Sequence, residues 1–310
     1  MSKKLHRKYQ KMGSHQKNTT FSIIKREMLR DKLALGSFIF IVALSIFVII
    51  SAFIIDQMGG LQNNFTRGMI YRPPSIPHLF GTDGRGRSVF WQVIIATRNS
   101  FSLIIPATLV SSTFGIAYGL ISGYTGGRID NIMMRFIDCI LILPNLILII
   151  ALIPMMGGTS MFTFVMLVSL FTWMQTAKMV RVRIIQEKEL EYIHASKTLG
   201  TSAFKIIVYQ LLPHLNTVII ASITLNIVSI IGIEAALSFL QATALSESFT
   251  LLPVTPTLGS LVGTARDMGI LRFREWMWMP AGLLIAVLVF SINNIGNMLN
   301  RAFDPRQRRG

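Results

Sequence analysis

The stretch from Cys139 to Ala177, CILILPNLILIIALIPMMGGTSMFTFVMLVSLFTWMQTA, contains 39 consecutive residues without a charge. About 20 apolar residues cross a bilayer as an α-helix, so this run is long enough for two crossings. Residues 154–160, PMMGGTS, supply a turn near its middle. The stretch therefore predicts two membrane-spanning helices joined by a short turn.

Four further uncharged runs of 23, 29, 28 and 25 residues lie on either side of this stretch, and each is long enough for one crossing. Of the 310 residues, 52% are hydrophobic and 14% charged, whereas a typical soluble domain has about 25% charged residues. The sequence therefore predicts an all-α integral membrane protein with six transmembrane helices. The four runs are 33–55, 99–127, 206–233 and 276–300.

The distribution of basic residues predicts the orientation of the chain. Six crossings place both termini on one side of the membrane, and 22 of the 30 Lys and Arg residues fall on that side. Positive charge accumulates on the cytoplasmic side of membrane proteins. We therefore expect both termini to be cytoplasmic. The net charge of +16 is interpreted as a topology signal, aided by anionic lipid, and not as a nucleic-acid-binding surface.

The predicted organisation is one six-span domain between two basic tails. The first apolar run is long enough to span, so the polar N-terminal segment is not expected to be a cleavable signal. Residues 22–32 can form an amphipathic helix that leads into the first span. The predicted parts are cytoplasmic tails at 1–32 and 301–310, a domain at 33–300, outer loops at 57–98 and 241–275, and a basic cytoplasmic loop at 180–213.

The basic loop contains a helical elbow, which runs from Glu191 to Pro213 with the sequence EYIHASKTLGTSAFKIIVYQLLP. Gly200 suits the left-handed residue that ends a first helix, and Thr201 or Ser202 can cap a second helix that stops at Pro213. We interpret the elbow as a knob for a partner's groove, with a helix lying on lipid as the alternative. Tyr192, Ala195, Ser196 and Leu199 share one face of the first helix, and Phe204, Ile207, Val208 and Leu211 share one side of the second.

Two acidic residues, Asp138 and Glu234, fall in apolar surroundings and are candidates for a structural or gating role. Arg135 lies three residues before Asp138, so the two are expected to form an ion pair on one helix face. Glu234 lies near the outer end of the fifth span. Its predicted role is hydrogen bonding between helices or gating, with proton or substrate binding and a partly solvated position as alternatives.

The sequence shows no convincing catalytic or metal-binding pattern. Its five His residues lack metal-ligand spacing, and the single cysteine, Cys139, is expected to be a small packing residue. No G-x-x-x-x-G-K-[ST] motif occurs, so any ATP must be bound by another chain. Gly115, Gly119 and Gly123 form a small-residue face for close helix packing, within this chain or against a second subunit.

Several segments together resemble the dipeptide/oligopeptide/nickel branch of ABC importer permeases, with subunits of the DppC/OppC type the most similar. Glu191, Ala195 and Gly200 resemble the E-A-A-x-x-x-G loop of such permeases, although Ser196 replaces the second Ala. The other matching segments are GTDGRGRSVF at 81–90, GYTGGRID at 123–130, MRFID at 134–138, EAALSFL at 234–240, PTLGSL at 256–261 and FDPR at 303–306.

The resemblance implies the type I ABC importer permease fold with a cytoplasmic coupling helix, in the inner or plasma membrane of a prokaryote. It also implies a non-catalytic transport subunit that forms half of a translocation path for short peptides. Its partners would be a second homologous permease, an external solute-binding protein, and two ATPase subunits that bind ATP and Mg. The ATPase-docking residues would be Glu191, Tyr192, Ala195, Ser196, Leu199 and Gly200.

Three other functions remain open at the level of sequence, of which the last is a membrane scaffold or receptor subunit. The first is uptake of nickel or metal chelates, which the same family includes. The second is a self-contained secondary carrier, although neither internal repeats nor interrupted helices around a midplane site are evident. The sequence does not identify the residues that bind substrate.

Overall fold

The computed structural model of the chain describes residues 20–57, 69–76, 78–156, 160–244 and 256–303. Within these ranges the chain is helical, apart from connecting turns and two isolated β-bridges. The helices are α1 (Thr20–Arg30), α2 (Lys32–Gln57), α3 (Val89–Thr125), α4 (Gly127–Leu141), α5 (Asn145–Met155), α6 (Met161–Lys188), α7 (Glu191–Thr198), α8 (Ala203–Lys205), α9 (Leu212–His214), α10 (Asn216–Ala244), α11 (Leu258–Gly263), α12 (Met268–Phe273) and α13 (Met279–Phe303). A π-helical segment, Ile206–Leu211, joins α8 to α9.

The predicted six spans correspond to five long apolar helices and one bent pair. The long helices are α2, α3, α6, α10 and α13, and the bent pair is α4 with α5, whose axes differ by 75°. The bend falls at residues 142–144, because Pro144 has no N–H to donate to the preceding turn. The third predicted span is therefore a broken helix.

The amphipathic helix predicted before the first span is α1, which ends one residue before Asp31. The Asp31 Oδ1 atom accepts hydrogen bonds from the backbone N–H groups of Leu33 and Ala34, each at 3.1 Å, and thereby caps α2. Residues 1–19 and 304–310 of the predicted tails lie outside the described residues, as do residues 58–68, 77 and 245–255 of the predicted outer loops.

Two helices extend into the predicted outer loops. Ser88 occupies the N-cap position of α3, which begins at Val89, within the predicted outer loop 57–98. Further along the chain, α10 continues to Ala244, past residue 241, where the second outer loop was predicted to start. The outer-loop boundary at 98 stays a prediction, because the start of a helix does not fix where the membrane begins. Val89 and Ala96 are buried in a cluster with Leu258 of α11 and Met277.

The glycine face of α3 packs within the chain, against α6. A Cβ atom at Gly115 would lie 2.5 Å from the Trp173 carbonyl oxygen, and one at Gly119 would lie 2.5 Å from that of Ala177. At Gly123 the nearest atoms belong to Ile184. The two backbones approach so closely that only glycine fits at these positions. This settles the alternative that the sequence left open.

The bundle has two distinct ends. At the end that carries α7, an ion pair between Arg301 and Asp31 joins the end of α13 to the start of α2. At the opposite end, the Trp276 side chain donates a hydrogen bond to the Thr82 carbonyl oxygen. We call the first the elbow end and the second, which carries α11 and α12, the cap end.

Candidate functional site

The first helix of the elbow, α7, ends as the sequence predicts. Gly200 has a φ of +78° and occupies the left-handed conformation. The Gly200 N–H donates to the Lys197 carbonyl oxygen at 3.0 Å, and the Thr201 N–H donates to the Ser196 carbonyl oxygen at 3.1 Å. These two bonds are the Schellman arrangement that closes a helix C-terminus. The chain therefore reverses sharply after α7.

The predicted docking face of α7 lies largely on the surface. Tyr192 and Ala195 are exposed, as is Glu191 in the first turn, and Leu199 is 85% exposed. Ser196 is half-buried. Its hydroxyl donates to the Tyr192 carbonyl oxygen and accepts a hydrogen bond from the Gln210 side chain. The face is therefore available to a partner, and docking through it stays a prediction.

The opposite side of α7 holds an anchor that sequence reasoning missed. Ile193 is fully buried, and it belongs to one apolar cluster with Val180 and Ile184 of α6. The sequence carried one signal for this anchor: between Leu190 and Leu199, only Ile193 and Ala195 are aliphatic. Ile206, Leu211 and Leu215 complete the buried cluster, and Ile116, Leu120 and Tyr124 of α3 pack against it.

The second part of the elbow differs from the predicted α-helix. Ser202 occupies the N-cap position without a side-chain hydrogen bond, and a π-helical turn follows α8. The π-helix repeats after about five residues, so Ile206 and Leu211 face the core together. Phe204 is 72% exposed, so the predicted apolar side was wrong. Pro213 lies inside α9 instead of ending the helix.

A buried ion pair adjoins the elbow and was also missed. The Arg181 guanidinium of α6 donates to both carboxylate oxygens of Asp130 in α4, each at 2.6 Å. The Ser122 hydroxyl donates to the same carboxylate, and the Lys188 ammonium donates to the Gly123 carbonyl oxygen at 3.0 Å. These bonds hold the elbow-end tips of α3, α4 and α6 together. Arg181 follows the 39-residue run by four positions, which was a signal for an interhelical partner.

The predicted ion pair between Arg135 and Asp138 was wrong. Asp138 instead contacts the Lys178 ammonium of α6, with Nζ and Oδ1 2.6 Å apart. Because α4 packs beside α6, a cation from the neighbouring helix reaches Asp138, while Arg135 points outward and is exposed. Cys139, expected to be a packing residue, is exposed on the same helix.

Glu234 forms the hydrogen bonds between helices that the sequence predicts. It is 1% exposed, so the alternative of a partly solvated position was wrong. Its Oε1 atom accepts a hydrogen bond from the Gly259 N–H of α11 at 3.3 Å, and the Ser100, Ser238 and Thr257 side chains also bond to it. Ser100 additionally accepts a hydrogen bond from the Leu258 N–H. Glu234 thus joins α10 to α11 and α3 at the cap end, and a gating role stays a prediction.

The chain matches, over residues 115–309, the family described as "Binding-protein-dependent transport system inner membrane component". It belongs to this family. The match includes the elbow, the Asp130–Arg181 pair and Glu234. The family description and the apolar helices together indicate a multi-pass inner membrane protein.

Similar proteins with curated names extend this likeness over nearly the whole chain. The oligopeptide transport system permease protein OppC of Lactococcus lactis subsp. cremoris (strain SK11) is 37% identical over 92% of this chain and 94% of its own length. The dipeptide transport system permease protein DppC of Bacillus subtilis (strain 168) is 32% identical over 92% and 85%, respectively. These relatives confirm the resemblance to ABC permeases of the DppC/OppC type.

A solved structure supports the fold. A chain from inward-facing conformations of the MetNI methionine ABC transporter superposes with a TM-score of 0.58 and 16% identity, over 70% of this chain and 98% of that one. At such low identity the likeness concerns the fold alone. The expected type I ABC importer permease fold is therefore confirmed.

Proposed function

We propose that this chain is the permease subunit of an ATP-driven importer of short peptides and forms half of its translocation path. The observation that carries the substrate class is the full-length similarity to OppC of Lactococcus lactis, whose name assigns oligopeptide transport to that protein. The DppC relatives extend the class to dipeptides. These names favour peptides over nickel or metal chelates. Membership of a binding-protein-dependent family also counts against a self-contained carrier.

The charge distribution supports a cytoplasmic elbow. Of the 30 Lys and Arg residues, 22 fall in the segments assigned to the side of the elbow and the termini. Since basic residues accumulate on the cytoplasmic side, the elbow end faces the cytoplasm and the cap end faces outward. This orientation places the elbow within reach of cytoplasmic ATPases and the cap end within reach of an external solute-binding protein.

The chain itself is non-catalytic and depends on partners for energy. It has no phosphate-binding loop, so ATP and Mg bind to two ATPase subunits, and this chain holds no cofactor. A second homologous permease completes the path. The exposed side of α7, with Glu191 at its start and Gly200 at its end, is the surface proposed to enter a groove on one ATPase subunit.

The anchor of α7 supports a mechanical route from that surface to the bundle. Movement of α7 carries Ile193, which is packed against Val180 and Ile184 of α6. Close packing transmits such displacements, because core side chains leave little free volume. Since α6 lies against the glycine face of α3, both helices are expected to shift together. ATP binding would in this way shift the populations of two bundle arrangements.

The Tyr192 phenol on this surface is neutral, and its hydroxyl donates to the Glu187 carboxylate of α6. Burial raises the pKa of Tyr192, and the negative charge of the nearby Glu187 raises it further. The phenol therefore remains protonated throughout the physiological pH range. We expect its contribution to docking to be independent of pH in that range.

The experiment that tests the docking surface is co-purification of ATPase subunits with a tagged chain from detergent-solubilised membranes. Leu199→Asp is expected to abolish co-purification, because it places a charge at the most exposed apolar position of the elbow, directly after α7. Tyr209→Asp is the matched control, since Tyr209 is 73% exposed on the same elbow but outside the docking face. Equal recovery of ATPases with both variants would refute docking through α7.

The same preparation separates the importer from a self-contained carrier. The complete complex in liposomes is expected to accumulate short peptides only with ATP and the solute-binding protein present. Peptide transport by the isolated chain along an ion gradient would overturn the proposal. Transport of nickel chelates with no transport of peptides would replace the proposed substrate class.

A further inference from the structure

A groove of about 360 Å³, lined by both polar and apolar side chains, lies between α6 and α10, beside the start of α5. Asn226 lies ten residues after the start of α10, so the groove is about 15 Å from the elbow end of that helix. This depth is within the predicted hydrocarbon layer, where polar side chains are costly unless they have a function. Seven of the lining residues are polar, namely Asn145 at the start of α5, Thr172, Gln175 and Thr176 on α6, and Ser222, Asn226 and Ser229 on α10.

The amide of Asn226 is held in one orientation. The Ser111 hydroxyl donates to the Ala107 carbonyl oxygen at 2.7 Å, so it can only accept a hydrogen bond from Asn226, whose Nδ2 lies 2.7 Å away. Nδ2 also donates to the Ser112 hydroxyl at 3.0 Å. Both amide protons therefore form hydrogen bonds with α3, and the Oδ1 atom lies on the side of the amide away from these two bonds.

The Oδ1 atom of Asn226 is a buried acceptor without a partner in the described part of the chain. Asn226 is 5% exposed and lines the groove. A buried acceptor without a partner is destabilising, and native proteins retain one mainly where water or a ligand donates the missing hydrogen bond. Gln175 and Ser229 lie exposed at the rim and offer further donors and acceptors. Because Oδ1 is buried, the polar groups that a ligand in the groove reaches directly are those of Gln175 and Ser229.

The chemistry of the groove selects a neutral ligand. Its lining contains amides and hydroxyls beside apolar side chains, and it includes no Asp, Glu, Lys, Arg or His. Lys178, one turn from Gln175 on α6, is neutralised by Asp138. A metal chelate or a free terminal charge would call for charged or imidazole ligands, whereas backbone amides match side-chain amides in donors and acceptors.

We propose that this groove binds the backbone amide groups of a peptide in transit, with the exposed Gln175 and Ser229 side chains bonding neighbouring amides above the buried Asn226 acceptor. Contacts of this kind are the same whatever the peptide side chains, so the groove favours passage of varied sequences. The proposal rests on the proposed peptide import, and names the part of the path in this chain that touches the substrate.

The first test is protection of an introduced thiol in the complete reconstituted transporter. Cys139 is the only cysteine, so a Cys139→Ser background allows single-site labelling. At about four times its dissociation constant, trialanine is expected to slow maleimide labelling of the Ser229→Cys variant about fivefold, because the labelling rate falls by a factor of 1 + [L]/Kd. A tri-ester analogue without N–H groups is expected to protect less. The Ser102→Cys variant is the control, because Ser102 is exposed on α3 outside the groove.

The second test compares uptake by two further variants. Gln175→Leu keeps the size of the side chain and removes its hydrogen bonds, and it is expected to lower trialanine uptake about fivefold. Ser102→Ala is expected to leave uptake unchanged. ATPase co-purification should be normal in both variants, which separates a substrate effect from a docking or folding defect.

Three results would overturn the proposal. One is peptide uptake without any change in labelling at position 229. Another is protection of that position with and without peptide, which would show that the partner permease covers the groove. The third is absence of peptide transport by the unaltered complex, which would refute the proposed function as well and is recognised without any variant.

Discussion

Two aspartates eight residues apart on α4 both pair with cations of α6, but in different surroundings. The Asp130 side chain is 9% exposed and accepts hydrogen bonds from two nitrogen atoms of the Arg181 guanidinium. The Asp138 side chain is 58% exposed and meets the single ammonium of Lys178. The difference indicates that Asp130 fixes the helix ends beside the elbow, whereas Asp138 only balances a charge. Burial and geometry, rather than the presence of opposite charges, decide what an ion pair contributes.

The largest expected effect comes from breaking the buried pair. Asp130→Asn leaves the Arg181 charge without a counter-charge, so the free energy of unfolding should fall by roughly 3 kcal/mol. This is the low end of the cost of breaking a buried pair, because 26% of the Arg181 side chain reaches solvent. Thermal unfolding of the purified complex in detergent measures the change. A loss no larger than that of Asp138→Asn would contradict the difference between the two pairs.

An intermediate effect is expected from the elbow with both pairs intact. Gly200→Val meets no neighbouring atom, so its cost arises only from forcing a β-branched residue to a φ of +78°. The change should cost about 1–2 kcal/mol and lower peptide uptake per ATP hydrolysed, because α7 loses its sharp stop. Parallel measurements of uptake and ATPase activity in liposomes determine that ratio.

Gly127→Val is the matched control for this variant. Gly127 has a φ of +59° and equally open surroundings, but it begins α4. The Gly127→Val variant should lose a similar amount of stability, but its peptide uptake per ATP hydrolysed should equal that of the unaltered transporter. If both variants lowered the ratio equally, coupling would depend on general stability and not on the elbow.

The smallest effect is expected from the exposed pair. Asp138→Asn should change the free energy of unfolding by less than about 1 kcal/mol, because both partners reach solvent and gain little from each other. The small difference should shrink further when the salt concentration rises from 0.05 to about 0.5 M. A loss as large as that of Asp130→Asn would show that lipid or another subunit covers this face in the assembly.

Much of the candidate site could be read from the residues themselves. Gly200 was predictable because only a residue without a Cβ adopts the left-handed stop easily. The exposed face of α7 followed from helical spacing. The buried side did not, because one isoleucine in a polar helix carries too little periodicity to signal an anchor. The π-helical turn was equally hidden, since Ile206 and Leu211 fit no α-helical face.

The interhelical pairs were harder to predict than the helices. Arg135 was the natural local partner for Asp138, yet Lys178, 40 positions away along the chain, lies closer in space. Asp130 and Arg181 are separated by 51 positions, and Glu234 and Gly259 by 25. Sequence spacing predicts contacts along one helix, but it carries no information on which helix packs alongside.

The sequence by itself determined the number of apolar segments, the polar elbow and its stop, because these depend on local hydropathy and backbone sterics. Only the tertiary structure decided the contact of the α3 glycines with α6 and the partners of Asp130, Asp138 and Glu234. It also brought Thr172, Gln175, Ser222 and Asn226 to one groove. These features arise from packing between helices distant in sequence, whose approach depends on the shapes of both partners.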